Sequence, residues 1–531
     1  MEISLDSAGG AGNGEFREKV ADQPRKGFPR LRIDPNLAEM FFKKALVGLS
    51  ILTSLALNAS DPPPSVIREF RGAWVPSVGN LQWPSTPGLT TAEQKAELIA
   101  ILNRAQELNL NAIILQVRPS CDALYSSPLE PWSEYLTGEM GRAPSPFYDP
   151  LLFAVTEAHR RGLELHAWMN PFRARVLAAK SPISPRHVIK KYPAMVINHG
   201  KFVWLDPGQK FAQDYSLAVM ADIVRRYDID GIHMDDYFYP YSERDGDKKD
   251  LPFRDDASWR RYQSSGGKLS RSDWRRQNVN EFIQRAYQNT KAQKPWVKFG
   301  VSPFGIWKPG FPLGTSLKSG NMYEEIYCDS LKWWTNGWVD YLAPQLYWAI
   351  NPPDQSFTAL LKWWAENNPR RRNLWPGINT GNSGGKWKAE EIVNQIKATR
   401  AQSGAGGVIH WSMKNLMNNG GGIADQMKSL YSEPALVPAS PWLNDLAPEK
   451  PIVTLKAQRK GRKVQWDCEG EKPRLWTVQI QMDGKWKTQI LPGGQSSLVL
   501  PGVEKSIQAI AVSAVNRYGT QSPPAVLEIL K

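Results

Sequence analysis

The sequence has few cysteines and lacks several familiar signatures. Cys121, Cys328 and Cys468 stand in no metal-ligand spacing and allow one intramolecular bridge at most, which excludes a disulfide framework and a cysteine-based metal site. The chain has no arginine-rich tract or other nucleic-acid-binding signature, so its formal charge of +14 predicts a basic surface without a nucleic-acid partner. No glycine-rich turn follows the run RGAWVPS, which disfavours an open dinucleotide-binding sheet.

A long membrane-spanning run is also missing. The apolar stretch from Ala45 to Leu57 is shorter than the roughly 18 residues expected of a spanning helix. It follows Met40 and two lysines and precedes small residues, which is the layout of a secretory signal peptide. We therefore expect residues 40–60 to be a signal peptide or membrane anchor and residues 1–39 to be a non-native or disordered extension. The mature chain is expected in the periplasm or cell envelope.

One pattern repeats from Arg68 to about Tyr431. A short β-branched or apolar run is followed by a loop rich in polar and aromatic residues and then by a stretch with apolar residues every three or four positions. Strands that alternate with helices predict parallel pairing, and eight units predict a closed (β/α)8 TIM barrel over residues 66–435. The eight runs cover residues 71–77, 111–119, 163–171, 231–240, 298–307, 341–348, 374–381 and 406–412.

The remainder of the chain predicts a second, smaller domain. Residues 436–449 form a proline-rich linker. Residues 450–531 contain short stretches with alternating apolar and polar residues between glycine and proline turns, which predicts a β-sandwich. The tryptophan in KVQWDC and the ending AVSAVNRYGTQSPP resemble a fibronectin type III domain. Such a resemblance implies a spacer or binding appendage without chemistry of its own.

The fourth run, DGIHMDDYFYP, ends in two adjacent carboxylates among aromatic residues. Neighbouring strand residues point to opposite faces, so Asp235 shares a face with His233, whereas Asp236 shares one with Ile232 and Met234. Barrel exteriors pack against helices and are apolar, which predicts that Asp235 faces the barrel mouth. Catalytic residues of barrels come from this end of the strands. Asp235 is therefore the first candidate for a catalytic carboxylate.

Hydrolysis of a glycosidic bond requires a second carboxyl group besides the ionised one. The fifth and sixth runs contain no acid at their ends, so the partner must come from elsewhere. Each candidate has an alternative interpretation as a helix cap or an ion-pair partner, and the sequence leaves the choice open. The candidates are Asp122, Glu130, Glu139, Asp206 and Asp236.

Polar and aromatic side chains at the other strand ends suit a sugar. Fixed donors and acceptors among flat apolar rings are typical of small-ligand pockets, and the 22 tryptophans supply such rings in excess. The alternative is that many of these rings fill the barrel interior. The polar candidates for substrate binding are Gln116, Arg118, Asn170, Arg173, His233, Gln345 and Asn379, and the aromatic candidates are Trp74, Trp168, Tyr237, Trp307, Tyr347, Trp348 and Trp411.

Three histidines at strand ends raise the alternative of a metal-dependent deacetylase. His166, His233 and His410 lie in the third, fourth and eighth runs. They form no HxH pair, and hydrogen-bonded histidines are common inside barrels. We therefore expect no metal and no cofactor.

The strand-end motifs together resemble the glycoside hydrolase-like family 10. The matching stretches are FRGAWVPSVGNLQWPS, ILQVRPSCDALY, AWMNPFRA, DGIHMDDYFYP, SPFGIW, APQLYW and HWS. The resemblance implies an exported barrel hydrolase that acts on bacterial cell-wall glycan, particularly peptidoglycan strands without stem peptides. It also implies that the signature acids fall on Asp235 and Asp236. The polar rim it implies comprises Gln116, Arg118, Asn170, Arg173 and Gln345.

The fourth run is also similar to the D-G-x-D-x-D-x-E signature of chitinase-type barrels. Asp230, Gly231 and Asp235 match it, but Tyr237 occupies the position of the catalytic glutamate and His233 replaces another acid. The chitinase mechanism therefore does not transfer unchanged, and the sequence leaves a retaining or inverting outcome open. A non-catalytic carbohydrate-binding scaffold of the cell wall is the alternative function.

Overall fold

The computed structural model describes residues 61–244, 250–315, 320–352, 354–458, 461–500 and 507–529. The signal segment predicted at residues 40–60 and the extension predicted at residues 1–39 lie outside these ranges. Among the helices of the described ranges, none has the length and apolar character that crossing a membrane requires.

A curled sheet of nine parallel strands forms the centre of the fold. Each of the eight predicted runs contributes to it, and the seventh contributes two short strands. In spatial order the strands are Asn373–Leu374, Tyr341–Leu342, Lys298–Val301, Gly231–Met234, Glu164–Met169, Ala112–Arg118, Phe70–Val75, Gly407–His410 and Gly377–Ile378.

Both edges of this sheet belong to one segment of the chain. Asn373–Leu374 pairs with Tyr341–Leu342, and Gly377–Ile378 pairs with Gly407–His410. Pro376 stands between the two short strands, and proline has no N–H to donate to a ladder. Because consecutive pieces of the same run form its two edges, the sheet is curled.

Helices cover the outside of the sheet, as the alternating pattern predicts. The helix Thr91–Glu107 begins at a capping box formed by Thr90 and Glu93, and it buries Leu98 and Leu102. The α-helices are Thr91–Glu107, Glu134–Thr137, Pro150–Arg160, Val188–Lys191, Lys210–Arg226, Asp256–Ser264, Arg271–Gln293, Met322–Glu325, Ser330–Asn336, Phe357–Glu366, Ala389–Ala401, Met413–Asn418 and Ile423–Leu430. The 3-10 helices are Val78–Asn80, Pro193–Met195, Thr380–Asn382 and Gly420–Gly422.

Aromatic rings fill the space enclosed by the curled sheet. Phe70 and Trp375 stack with ring centroids 3.7 Å apart. A Cβ atom at Gly300 would lie 1.9 Å from the ring of Tyr341, so position 300 must be glycine to leave room for that ring. Part of the tryptophan excess is therefore interior packing, which is the alternative that the sequence left open.

A small antiparallel sheet follows the third strand of the large sheet. It consists of Arg173–Val176, Phe202–Leu205 and Val196–His199, in that spatial order. The eight-run pattern does not predict these strands because they lie in a strand-to-helix connection. They fix the segment that carries Arg173 beside the mouth of the large sheet.

The C-terminal part forms two antiparallel sheets, which confirms that this part is all-β. Arg474 binds Asp230 at the start of the strand Gly231–Met234, with 3.0 Å between Nε and Oδ1. Arg517 binds Asp228 nearby at 2.7 Å. One sheet contains Ile452–Gln458, Gly461–Asp467 and Ser497–Leu500, and the other contains Lys485–Pro492, Leu475–Met482, Ile507–Val515 and Ala525–Glu528.

Candidate active site

A cavity of about 300 Å³ lies at the carboxyl ends of the central strands. Barrel-type enzymes carry their active sites at this end of the sheet. The cavity brings together many of the residues that the sequence singles out. Its lining comprises Trp74, Val78, Leu81, Gln116, Trp168, Arg173, Asp235, Tyr237, Ser302, Gln345, Tyr347 and Trp411.

Asp235 contributes a buried carboxylate to this cavity. Asn170 donates to its two oxygens at 3.0 and 3.2 Å, and the Trp168 indole donates to Oδ2 at 3.3 Å. Burial raises the pKa of Asp235 to about 6, although the charge of Arg173 and the hydrogen bonds from Asn170 and Trp168 oppose that rise. Asp235 can therefore exchange a proton near neutral pH.

Asp236 lies beside Asp235 and is also buried. Burial and the neighbouring charge of Asp235 raise its pKa to about 7, against hydrogen bonds from Tyr241 and Gln345 that lower it. Gln345 itself lines the cavity, so Asp236 stands directly behind the lining. The charge of Asp235 thus acts on its neighbour directly after the strand Gly231–Met234.

Three tryptophans form the aromatic wall of the cavity. Trp411 packs edge-on against Trp74 and Trp168, with ring centroids 6.1 and 6.3 Å apart. Trp74 and Trp168 are almost fully buried, whereas Trp411 is partly exposed. Tyr237 and Tyr347 also line the cavity. Flat apolar faces of this kind suit the apolar faces of a sugar ring.

His233 lies beneath the cavity and outside its lining. Its Nδ1 is 3.0 Å from the Tyr341 hydroxyl, its Nε2 is 3.0 Å from the Ser302 hydroxyl, and the Trp74 indole donates to Nε2 at 3.2 Å. Burial and the proximity of His166 lower the pKa of His233 well below its ordinary value. His233 is thus a neutral interior group that holds Trp74, and it contributes no atoms to the cavity lining.

Arg118 is not a rim residue, contrary to the sequence prediction. It is fully buried, and its Nη2 and Nε bind the Glu130 carboxylate at 2.5 and 2.8 Å. Its Nη1 donates to the carbonyl oxygens of Asn170 and Pro171. These hydrogen bonds occupy the guanidinium group of Arg118. They tie the end of the second strand to the loop that follows the third strand.

Most of the other candidate acids are committed to structural contacts outside the cavity lining. Asp122 accepts a hydrogen bond from the Ser120 N–H at 2.9 Å, and burial raises its pKa to about 6. Asp206 accepts from the Gly208 N–H and from Gln209. Glu139 is exposed and pairs with Arg142 at 3.4 Å. Asp236 is the candidate that adjoins Asp235.

Four other predicted contacts lie behind or beside the cavity. Asn170 is buried and acts on the site through Asp235 and through the Arg173 N–H, which its Oδ1 accepts. Trp348 packs against Phe304, and the Trp307 indole donates to Asp329. Asn379 lies outside the lining as well and precedes the 3-10 helix Thr380–Asn382.

Three residues of the cavity lining were not predicted from the sequence. Ser302 directly follows the strand Lys298–Val301, and this position after an apolar stretch was the available signal. Val78 and Leu81 belong to a short helical turn after the first strand, and Leu81 is half exposed. No periodic pattern marks a lining residue in such a turn.

The three strand-end histidines each have hydrogen-bond partners of their own. His166 bonds to Tyr341 at 2.8 Å and to Glu164 at 3.0 Å, and His410 bonds to Thr380 at 2.9 Å. In the part of the chain that the structure describes, no three metal-ligating side chains come together.

A larger cavity, of about 510 Å³, lies beside the segment that follows Asp236. Two arginines in its lining, Arg271 and Arg275, bind the buried carboxylate of Asp255 at 2.5 and 2.6 Å. The acids of this lining are also committed to structural contacts, since Asp256 pairs with Arg271 at 2.8 Å and Glu325 accepts a hydrogen bond from the Asn321 N–H at 3.0 Å. The candidate active site is therefore the cavity that contains Asp235.

Comparison with known proteins places the chain in a family. The model of the family described as glycosyl hydrolase-like 10 matches residues 69–391, which include every residue of the cavity lining except Trp411. The chain belongs to the glycosyl hydrolase-like 10 family.

Relatives of this chain are named as glycosyl hydrolases. Glycosyl hydrolase YngK of Bacillus subtilis (strain 168) is 41% identical over 408 residues, which cover 74% of this chain and 78% of that protein. Glycosyl hydrolase DigH of Escherichia coli (strain K12) is 35% identical over 343 residues, covering 60% and 76%. As a member of the glycosyl hydrolase-like 10 family, the chain is an enzyme of the glycoside hydrolase class.

Among solved structures, the glycoside hydrolase domain of PgaB (BpsB) from Bordetella bronchiseptica matches with a TM-score of 0.45 and 12% identity. This match covers 68% of the present chain and 98% of that domain.

Proposed function

We propose that this protein is an exported hydrolase of bacterial cell-wall glycan and that it cleaves glycosidic bonds in peptidoglycan strands without stem peptides. The observation that carries the proposal is the buried Asp235 carboxylate in a tryptophan-walled cavity. Asn170 and Trp168 hold this carboxylate in place.

The two carboxyl groups suit the two roles that glycoside hydrolysis requires. Asp235 receives hydrogen bonds from Asn170 and Trp168 and stands near Arg173, all of which favour its ionised form. Asp236 retains its proton to higher pH, since its pKa is raised to about 7. We assign Asp235 the role of nucleophile or base and Asp236 that of proton donor to the departing oxygen.

The proposed substrate agrees with the charge and shape of the site. Stripped glycan strands carry a lactyl carboxylate on every muramic acid, so they are polyanions that a chain with a net charge of +14 would attract. The three tryptophans of the wall supply apolar faces on which sugar rings can lie.

Export and the finer architecture belong to the same proposal. The signal-like layout at residues 40–60 supports delivery to the cell envelope, where this polymer lies. We propose that the curled sheet is a (β/α)8 barrel, because one run forms both of its edges. The C-terminal sheets, with three and four strands, support a fibronectin type III-like domain.

Incubation of the full chain with amidase-stripped peptidoglycan tests the proposal. New reducing ends and products of disaccharide-repeat mass are expected from the unaltered protein. Asp235→Asn should reduce the rate by about 10²- to 10⁴-fold, the usual contribution of a general acid or base. Asp445→Asn, at an exposed position, is the matched control. The absence of products from the unaltered protein, or full activity of Asp235→Asn, would refute the assignment.

A further inference from the structure

Two hydrogen-bond donors in the cavity lining are left without acceptors. Gln116 is fully buried, and its Oε1 accepts the N–H groups of Ser77 and Val78, both at 2.9 Å. These two bonds fix the orientation of the amide, because reversing it would set Nε2 against two donors. The Gln116 Nε2 therefore points away from that turn, and it has no partner among the described residues.

Arg173 presents the second free donor. Its side chain is held by a hydrogen bond from Nε to the Pro119 carbonyl at 3.0 Å, and its guanidinium carbon lies 5.7 Å from the Tyr237 ring centroid. Arg173 is only 8% exposed, yet its Nη2 has no partner among the described residues. Gln116 and Arg173 line the same cavity.

Buried donors without acceptors are rare, because each loses its hydrogen bonds to water without replacement. Asp235 does not satisfy these two donors; it receives its hydrogen bonds from Asn170 and Trp168. The lining contains one cationic residue, Arg173, and one carboxylate, Asp235. A guanidinium and an amide N–H together match a group that only accepts hydrogen bonds and carries negative charge.

We propose that Gln116 Nε2 and Arg173 Nη2 bind the lactyl carboxylate of a muramic acid residue and thereby select that sugar for the cavity. The inference rests on the proposed function, since it names the residues that distinguish muramic acid from glucosamine in the same glycan. A hydroxyl group fits this pair less well, because it brings a hydrogen for which neither donor offers an acceptor. A neutral acyl oxygen would accept the same hydrogen bonds without the added strength that a charged acceptor gives them.

Binding of N-acetylmuramic acid and of its methyl ester tests the carboxylate directly. The two ligands differ only at the lactyl group, and the tryptophans of the cavity provide a fluorescence signal for the full chain at pH 7. The unaltered protein should bind the acid about 10- to 100-fold more tightly than the ester, as expected for one or two hydrogen bonds to a charged group. Equal affinities, or no measurable binding of either ligand, would overturn the proposal.

Gln116→Glu is the decisive variant because it keeps the shape and the oxygen that accepts from Ser77 and Val78. It replaces the free donor by an oxygen, so it should abolish the preference for the acid and leave ester binding within about two-fold. A purely structural role would instead weaken both ligands equally. Gln508→Glu is the matched control, since the Gln508 Oε1 accepts the Gly484 N–H at an exposed position. Arg173→Met should likewise remove the preference.

Cleavage of stripped glycan before and after methyl esterification separates this inference from the proposed function. Slower cleavage of the esterified strands would support both. A protein that cleaves neither strand but still prefers the free acid in binding would refute the proposed function and leave the donor pair supported. Equal cleavage of both strands would support the proposed function and overturn the inference.

Discussion

Asn170 donates its side-chain amide to both carboxylate oxygens of Asp235, at 3.0 and 3.2 Å. This contact joins the ends of two adjacent parallel strands, Glu164–Met169 and Gly231–Met234. Burial disfavours the charge on Asp235, while Asn170 and Trp168 favour it, and the balance leaves its pKa at about 6. Residues at the end of the strand Glu164–Met169 thus help to set the pKa of the acid that follows the strand Gly231–Met234.

The first prediction is a narrow pH optimum. If Asp235 acts ionised and Asp236 acts protonated, kcat/KM should rise as the pH increases through about 6 and fall as it increases through about 7. Initial rates of glycan cleavage across pH 4 to 9 measure both limbs. A rate that keeps rising up to pH 9 would contradict the protonated role of Asp236.

The second prediction is that removing one hydroxyl group moves only the alkaline limb of the pH profile. The Tyr241 hydroxyl donates to Asp236 and lowers the pKa of that carboxyl. Tyr241→Phe removes the donor, so the pKa of Asp236 should rise and the alkaline limb should move to higher pH. The acid limb, which reports Asp235, should stay in place. Movement of the alkaline limb to lower pH would show that another group is responsible for it.

The third prediction concerns Asn170 itself. Asn170→Ala removes hydrogen bonds that favour the ionised form of Asp235, so the pKa of Asp235 should rise. The acid limb should then move to higher pH, with the largest loss of activity, about ten-fold or more, below pH 6. The same pH series measures this effect, and an unchanged acid limb would indicate that Asp235 is not the group that must ionise.

Much of this site could be predicted because the amino-acid composition changes abruptly where the strands end. Asp235 and Trp411 each follow a short apolar run, and parallel strands bring such positions to one edge. Alternation along the fourth run also placed His233 inside the sheet, with Ile232 and Met234 among the outer core residues. Periodicity shows the face of the sheet on which a side chain lies, so many residues of the cavity lining can be predicted from the sequence.

Alternation does not show which partner a side chain finds. Arg118 ends the strand Ala112–Arg118, and Arg173 lies just beyond the strand Glu164–Met169. Arg118 is nevertheless neutralised by Glu130, which is twelve residues away, whereas Arg173 retains a free donor. That difference arises from the path of the loop that brings Glu130 back over the second strand. Val78 and Leu81 could not be predicted either, because a helix of one turn is too short to show a periodic pattern of apolar residues.

The fourth prediction compares two glutamates that the sequence offered as catalytic acids. Glu130→Ala leaves the fully buried Arg118 without its carboxylate, so the protein should lose about 3–5 kcal/mol of stability. Glu139→Ala breaks an exposed pair with Arg142 and should cost at most about 1 kcal/mol. Thermal unfolding of both variants measures the contrast. Equal melting temperatures would contradict the structural role given to Glu130.

The last prediction concerns the ion pair that fastens the C-terminal sheets to the central one. Arg474 and Asp230 are both buried where they meet, whereas Arg517 and Asp228 are more exposed. Arg474→Met should therefore lower the melting temperature more than Arg517→Met does. It should leave kcat/KM unchanged, because Asp230 precedes the strand Gly231–Met234 and Asp235 follows it.

The dependence of this effect on pH has a definite sign. Burial alone would raise the pKa of Asp230, but Arg474 and His159 hold it well below 3.8 in the folded protein. The pair therefore stabilises the fold fully above about pH 3.8 and loses that contribution as the pH falls towards the lower folded value. The melting temperatures of the unaltered protein and Arg474→Met should differ by a constant amount from pH 8 to 5. A difference that disappeared as the pH rose from 5 to 8 would show that a group other than Asp230 balances Arg474.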